Sequence, residues 1–267
     1  MPSRDLAFDL SGQVVIVTGG GRGVGRGISE RFLEAGAEVV ICGRHRPAAL
    51  PEAGGRPAVF AEADVRELEQ IESVVATATG RFGRLDVLVN NAGGAPPAEA
   101  ATASPRFSEA ILRLNLIAPL HFAQRANAVM QQQAEGGVIV NIASVSGIRP
   151  SPGAAAYGAA KAGLLNLTQT LAVEWAPRVR VNAVTAGMIR TEQSHLHYGD
   201  EAGIRAVSAT VPLGRLAEPR DVGDVCLFLA SPFASYVSGA SILVHGGGEK
   251  PAYLGVAKPG AAKTAGS

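Results

Sequence analysis

The 267-residue sequence predicts an α/β fold, a doubly wound, seven-stranded parallel sheet with helices on both faces. Three observations predict it. Short β-branched runs alternate with helix-length segments, a glycine-rich turn directly follows the first run, and no linker or repeat divides the chain.

The candidate strands are residues 14–17, 38–41, 58–60, 85–89, 138–140, 179–181 and 242–244. Most are apolar throughout, the pattern of strands covered on both faces. Helix-like spacing fills residues 24–35, 67–82, 154–175 and 219–229, supplying the crossovers that parallel strands require. A single domain is therefore expected from about residue 8 to 248. The tail, 249–267, is rich in Ala, Gly, Pro and Lys, with Tyr253 and Leu254 as candidate anchors on a neighbouring surface.

The charges nearly cancel, 24 Lys and Arg against 23 Asp and Glu, and no basic run appears. This argues against electrostatic capture of nucleic acid or an anionic membrane and leaves a small molecule as the expected partner. Cys42 and Cys226 each sit in an apolar run and read as buried free thiols. The first apolar run, 14–17, is too short for a secretory segment or a membrane span, so the cytoplasm is the expected location. His195 and His197 lack further ligands at suitable spacing, and no metal is expected.

Thr18-Gly19-Gly20-Gly21-Arg22-Gly23-Val24-Gly25 follows the first strand and opens a helix. There, backbone N–H groups and the helix dipole meet a pyrophosphate, and the glycines permit positive φ, close ligand approach and tight helix packing. Arg22 at the helix start is disfavoured by the dipole unless an anion offsets it. The second strand ends at Cys42-Gly43-Arg44, where an NAD enzyme usually carries an acid against the ribose 2′-hydroxyl. Gly43 removes that acid and Arg44 can pair with a 2′-phosphate, so NADP(H) is the expected cofactor, with NAD(H) as the other candidate. The plainer reading of Arg44 is a solvated basic turn.

Together with Asn90-Asn91-Ala92-Gly93, Asn115, Ser144 and Tyr157-x-x-x-Lys161, this turn resembles the short-chain dehydrogenase/reductase family over nearly the whole domain. The resemblance implies a Rossmann-type sheet and hydride transfer between a nicotinamide cofactor and a carbonyl or alcohol carbon. It places Gly19, Gly21, Arg22, Gly23, Val24, Gly25 and Arg44 on the cofactor. Asp64 and Val65 would border the adenine, and Asn91, Ala92 and Gly93 the adenosine and ribose. Asp64 has another reading, as a cap for the helix beginning near Arg66, and Asn90 as a residue holding the sheet.

Tyr157 and Lys161, four apart on a helix, share a face, and an ammonium beside a phenol favours the phenolate. By resemblance, Tyr157 exchanges the substrate proton, Lys161 also binds the nicotinamide ribose, and Ser144 stabilises the substrate oxygen. Asn115 would hold a water linking Lys161 to solvent. Gly187, Ile189 and Thr191 would face the nicotinamide, although Ala186 replaces the family's usual proline and would loosen that wall. Residues 191–210 correspond to a substrate lid, and the helices carrying Asn115 and Tyr157 to the interface of a homotetramer or homodimer. The competing functions are a catalytically silent dinucleotide-binding regulator of the same fold, and an epimerase or dehydratase.

Overall fold

The computed structural model describes residues 8–256. In chain order the strands are β1 (Val14–Thr18), β2 (Glu38–Gly43), the short pair β3 (Glu52–Ala53) and β4 (Arg56–Pro57), β5 (Val59–Glu62), β6 (Val87–Asn90), β7 (Gly137–Ser144), β8 (Val179–Ala186) and β9 (Ser241–Val244). The helices are α1 (Gly23–Glu34), α2 (Leu68–Phe82), α3 (Pro105–Leu112), α4 (Ala118–Met130), α5 (Ala155–Glu174), α6 (His195–Tyr198), α7 (Glu201–Thr210) and α8 (Pro219–Ala230).

The sheet runs β5-β2-β1-β6-β7-β8-β9, parallel throughout. Alternate strand residues serve two cores. Val15, Val17, Val39 and Ile41 pack with α1 and α8 on one face, while Val14, Ile16 and Val40 pack with α2, α4 and α5 on the other. Helix α1 approaches α8 through Gly27, where a Cβ would lie 2.4 Å from Pro219 Cβ. Among the described residues, no helix is long and apolar enough to cross a membrane.

The seven expected strands are the seven of this sheet, with shifted ends. β7 and β8 run on through Asn141 and Asn182 because these amides are satisfied inside the fold. Asn90 Nδ2 donates to Asn141 Oδ1 at 2.9 Å and to Pro119 O at 3.1 Å, and Asn141 Nδ2 donates to Thr168 Oγ1 at 2.9 Å. Asn182 bonds both Val237 O and Ala240 N. The chain Asn90–Asn141–Thr168 ties β6, β7 and α5 together directly below the residues that line the cleft.

Two features went unread in the sequence. The hairpin β3–β4 turns on Gly54 and Gly55, both at positive φ, and its Arg56 guanidinium caps the Leu33 and Gly36 carbonyls at the end of α1. Between α3 and α4 the chain forms one π turn, Arg113–Ile117, with Asn115 at its centre. Cys42 and Cys226 are buried free thiols, and burial pushes both upward, Cys42 to about 12.

Replacing Asn141 by alanine takes one of the two acceptors from Asn90 Nδ2 and removes a bond from the Thr168 hydroxyl in a dry interior. Urea unfolding of Asn141→Ala is expected to show a loss of about 2 kcal/mol. A loss below about 0.5 kcal/mol would show that the network carries no such weight.

Candidate active site

Strand order reverses between β1 and β6, so the connections leaving their C-terminal ends diverge and open a crevice. A cleft of about 730 Å³ lies there. It is lined by Gly19, Gly21, Arg22, Gly23, Val24 and Gly25, by Arg44, Asp64 and Val65, and by Asn91, Ala92 and Gly93. Ser144, Tyr157, Lys161, Gly187, Ile189 and Thr191 complete that wall. Of the expected site residues, Asn115 alone stands behind the lining.

The crevice is held by a reciprocal clamp. Thr18 Oγ1 accepts the Asn91 and Ala92 N–H groups, each at 2.9 Å, and Asn91 Nδ2 returns a bond to Thr18 O at 2.9 Å. The Asn91 side chain is thus a strut between the two loops as well as part of the wall. Gly25 lets α1 seat tightly, since a Cβ there would lie 2.3 Å from Gly19 O. Gly19 and Gly23 take φ +65 and +50, which L side chains rarely adopt. The first turn of α1 holds no acid and Arg22 makes no side-chain cap, so the N–H groups of that turn suit an anion. One of them, Gly23 N–H, donates to Glu192 Oε1 at 3.0 Å.

At the other end of the cleft, Gly43 closes β2. A Cβ on it would meet nothing nearer than His45 O at 3.9 Å, so packing does not demand the glycine, and open space stands where an acid would project. Arg44 is exposed at this rim, and the Arg46 guanidinium lies 5.8 Å from the Phe60 ring. Asp64 receives the Arg66 guanidinium and, at 3.0 Å, the Arg66 N–H, so it caps the turn ahead of α2 while still lining the cleft. Arg66 first, with help from Arg44, holds its carboxyl down at about 2. The glycine cradle at α1 and the open space at Gly43 together fit a dinucleotide.

Tyr157 and Lys161 project from one face of α5 to the ends of β7 and β8. Lys161 is 3% exposed, and its Nζ donates to Ile142 O at 2.8 Å while lying 5.6 Å from the centre of the Tyr157 ring. It is no solvated surface charge. Burial lowers it to about 8. The Tyr157 phenol stands above the usual tyrosine value, raised by burial and drawn part of the way back by the neighbouring Ser144 hydroxyl. Desolvation is the larger effect at this phenol, and the opposing pull comes from Ser144.

Asn115 is fully buried. Its Oδ1 accepts Gly94 N–H at 2.8 Å, and its Nδ2 donates to Gly94 O and Ile111 O at 3.0 Å. The amide pins the loop after β6 and satisfies a carbonyl at the π turn. A Cβ on Gly93 would lie 2.6 Å from its Oδ1, so the loop can rest on Asn115 only with glycine there. At Ala186 the wall is paired on both sides. Ala186 pairs with Ser144 on one side and Val244 on the other, and Gly187 N–H donates to Val244 O at 2.9 Å.

Thr18, quoted in the turn motif without a role of its own, braces this site, and Glu192, Gln193 and Tyr198, which fall within the expected lid without being named there, line it. Thr18 had a local signal, a threonine closing a strand before glycine. Glu192 had none, since its partner lies 169 residues away. His195 and His197 lie exposed on α6, with His195 Nδ1 3.0 Å from Glu192 O.

A family model described as enoyl-(acyl carrier protein) reductase matches residues 19–249. The chain is 36% identical over 251 residues to 3β-hydroxysteroid dehydrogenase 1 of Eggerthella lenta, covering 90% of this chain and 94% of that relative. It is also 36% identical over 266 residues to an uncharacterized short-chain type dehydrogenase/reductase of Sinorhizobium fredii. That match covers 95% of this chain but spans only 46% of the relative's length. The solved structure of Thermoplasma acidophilum aldohexose dehydrogenase, in ligand-free form, superposes with a TM-score of 0.83 at 31% identity, over 94% of this chain and 97% of that one. With the motif order, the sheet and these relatives in agreement, the chain belongs to the short-chain dehydrogenase/reductase family of oxidoreductases, which bind NAD(P)(H).

Proposed function

We propose that this protein catalyses reversible hydride transfer between NADP(H) and the carbonyl or alcohol carbon of a small molecule, with Tyr157 as the proton donor and acceptor. The observation that carries this reading is the convergence of the Tyr157 phenol, the Lys161 ammonium and Ser144 on one wall of a cleft whose glycine cradle suits a pyrophosphate.

When bound, the nicotinamide supplies or accepts the hydride. Tyr157 gives its proton to the carbonyl oxygen in reduction, a role favoured by a phenol that burial keeps protonated. Ser144 donates a hydrogen bond to the same oxygen and stabilises its developing charge. Lys161, anchored on Ile142 O, keeps its ammonium beside the Tyr157 ring and would bond the nicotinamide ribose. Asn115 acts as a positioning residue, fixing the Gly93–Gly94 loop beside Lys161 and supporting a water relay to it. Gly187, Ile189 and Thr191 form the nicotinamide side of the wall.

Residues 8–248 are read as one domain, with 191–210 as its substrate lid. The placement of Gln193 and Tyr198 on the cleft supports the lid. Of the tail, 249–267, residues 257–267 lie outside the described residues, and Tyr253 and Leu254 are exposed. The assembly is read as a homotetramer or homodimer through the helices bearing Asn115 and Tyr157, supported by exposed Val173 on α5. The protein is read as cytoplasmic. The steroid, aldohexose and acyl-carrier names among its relatives define the substrate panel to screen.

Tyr157→Phe is expected to keep NADPH affinity within about twofold and lose roughly 10²–10⁴ in kcat against any substrate the panel yields. Undiminished kcat would remove Tyr157 from the chemistry. Wild-type protein that binds NADPH yet turns over no member of the panel would make it a silent dinucleotide binder instead.

The kcat/KM ratio is expected to favour NADPH over NADH. Gly43→Asp, which fits the open space at the end of β2, should swing that ratio toward NADH by roughly 10- to 100-fold. A ratio insensitive to this change would sink the 2′-phosphate assignment.

Lys161 also costs stability. Its value falls from 10.5 to about 8 on folding, so the folded state holds this proton less tightly than the unfolded chain does. The cost is full below pH 8, roughly 3 kcal/mol at most, and fades as pH rises toward 10.5. Lys161→Met should therefore be inactive yet no less stable than wild type at pH 7, with its relative advantage shrinking between pH 8 and 10. A fall in Tm of several degrees at pH 7 would contradict this.

A further inference from the structure

Glu192 reaches the start of α1 from the far side of the cleft. Its Oε1 accepts the Gly23 N–H at 3.0 Å, at a helix end that has neither an acid in its first turn nor a side-chain cap at Arg22. The carboxylate therefore supplies, from another part of the chain, the anion that this turn lacks.

The segment carrying it is well placed. Thr191 N–H donates to the Oγ of buried Ser194 at 2.8 Å, and Gln193 N–H donates to Thr191 Oγ1 at 3.3 Å. Thr191 covers the same glycine: a Cβ on Gly23 would meet Thr191 Cγ2 at 3.6 Å and Glu192 Oε1 at 3.8 Å. Glu192, Gln193 and Tyr198 all line the cleft that holds Tyr157. The loop leading into α6 thus closes over the glycine turn, fastened by a charged group of the same sign as a phosphate.

We propose that Glu192 is an internal stand-in for the cofactor's pyrophosphate, occupying its backbone donor in the free protein and leaving when a dinucleotide seats. The inference rests on the dinucleotide reading above. Two anions cannot share one N–H at hydrogen-bond distance, so binding selects molecules in which the carboxylate has swung away. Apparent affinity is reduced by the fraction of molecules already open. Because Glu192 is exposed, the closed form is favoured only modestly, and the effect on affinity is about two- to tenfold. Departure of the carboxylate frees residues 191–198, so cofactor arrival is coupled to the wall that faces the substrate.

The test is calorimetric titration of the wild-type chain, Glu192→Ala and Glu192→Gln with NADPH, NADH and adenosine 2′-monophosphate. The last carries the ribose phosphate but no pyrophosphate. The expected result is tighter binding of both dinucleotides, about two- to tenfold in Glu192→Ala and less in Glu192→Gln, with adenosine 2′-monophosphate unchanged. Dinucleotide affinity that is unchanged or weaker in both variants overturns the proposal. So does equal tightening of adenosine 2′-monophosphate, which would mark a diffuse charge effect. If the wild type and both variants bind neither dinucleotide, the cofactor reading itself falls and the proposal falls with it. Wild-type binding without a variant effect removes the proposal alone.

Discussion

The reciprocal hydrogen bonding between Thr18 and Asn91 is the constraint on which the site depends. The sheet reverses direction of growth between β1 and β6, and the loops leaving these strands would otherwise drift apart. One hydroxyl accepts two backbone N–H groups of the second loop, and one amide returns a bond to the end of the first strand. The crevice therefore has a fixed width at its floor. The glycine turn and the Asn91–Gly93 loop approach any ligand from opposite sides in a set geometry, which is the preorganisation that positioning demands.

Below that floor a second polar layer does similar work in a dry environment. Asn90, Asn141 and Thr168 link β6, β7 and α5, and Asn115 pins the loop after β6 from behind. Each of these groups is satisfied, and among the described residues no buried side-chain nitrogen or oxygen lacks a partner. A fully satisfied network favours one arrangement over its neighbours, because any shift strands a donor. Tyr157 and Lys161 inherit this rigidity through α5, while Ser144 and Ala186 inherit it through paired strand ends.

The same burial that makes the wall rigid sets its electrostatics. Lys161 sits in a region dry enough to lower an ammonium to about 8 and to raise a phenol. Site and stability pull in opposite directions here, as is common where a charge is held for chemistry. The exposed rim behaves differently. Arg22, Arg44 and Glu192 lie in solvent, where charges are screened and rearrange at little cost, which suits a region that a highly charged ligand must reach.

The seven strands, the order of the motif residues and the identity of the cleft-lining groups were legible in the sequence, because each rests on local chemistry. Apolar runs mark buried strands, glycine after a strand marks a ligand turn, and Tyr157 and Lys161 share a helix face by periodicity alone. Strand ends were less legible, since Asn141 and Asn182 look like breaks until their partners are known. Tertiary structure alone decided that Asn115 holds Gly94 at a π turn, that burial raises the Tyr157 phenol, and that Glu192 meets Gly23. These outcomes depend on which distant groups meet and how much water remains between them, and neither is written in residue spacing.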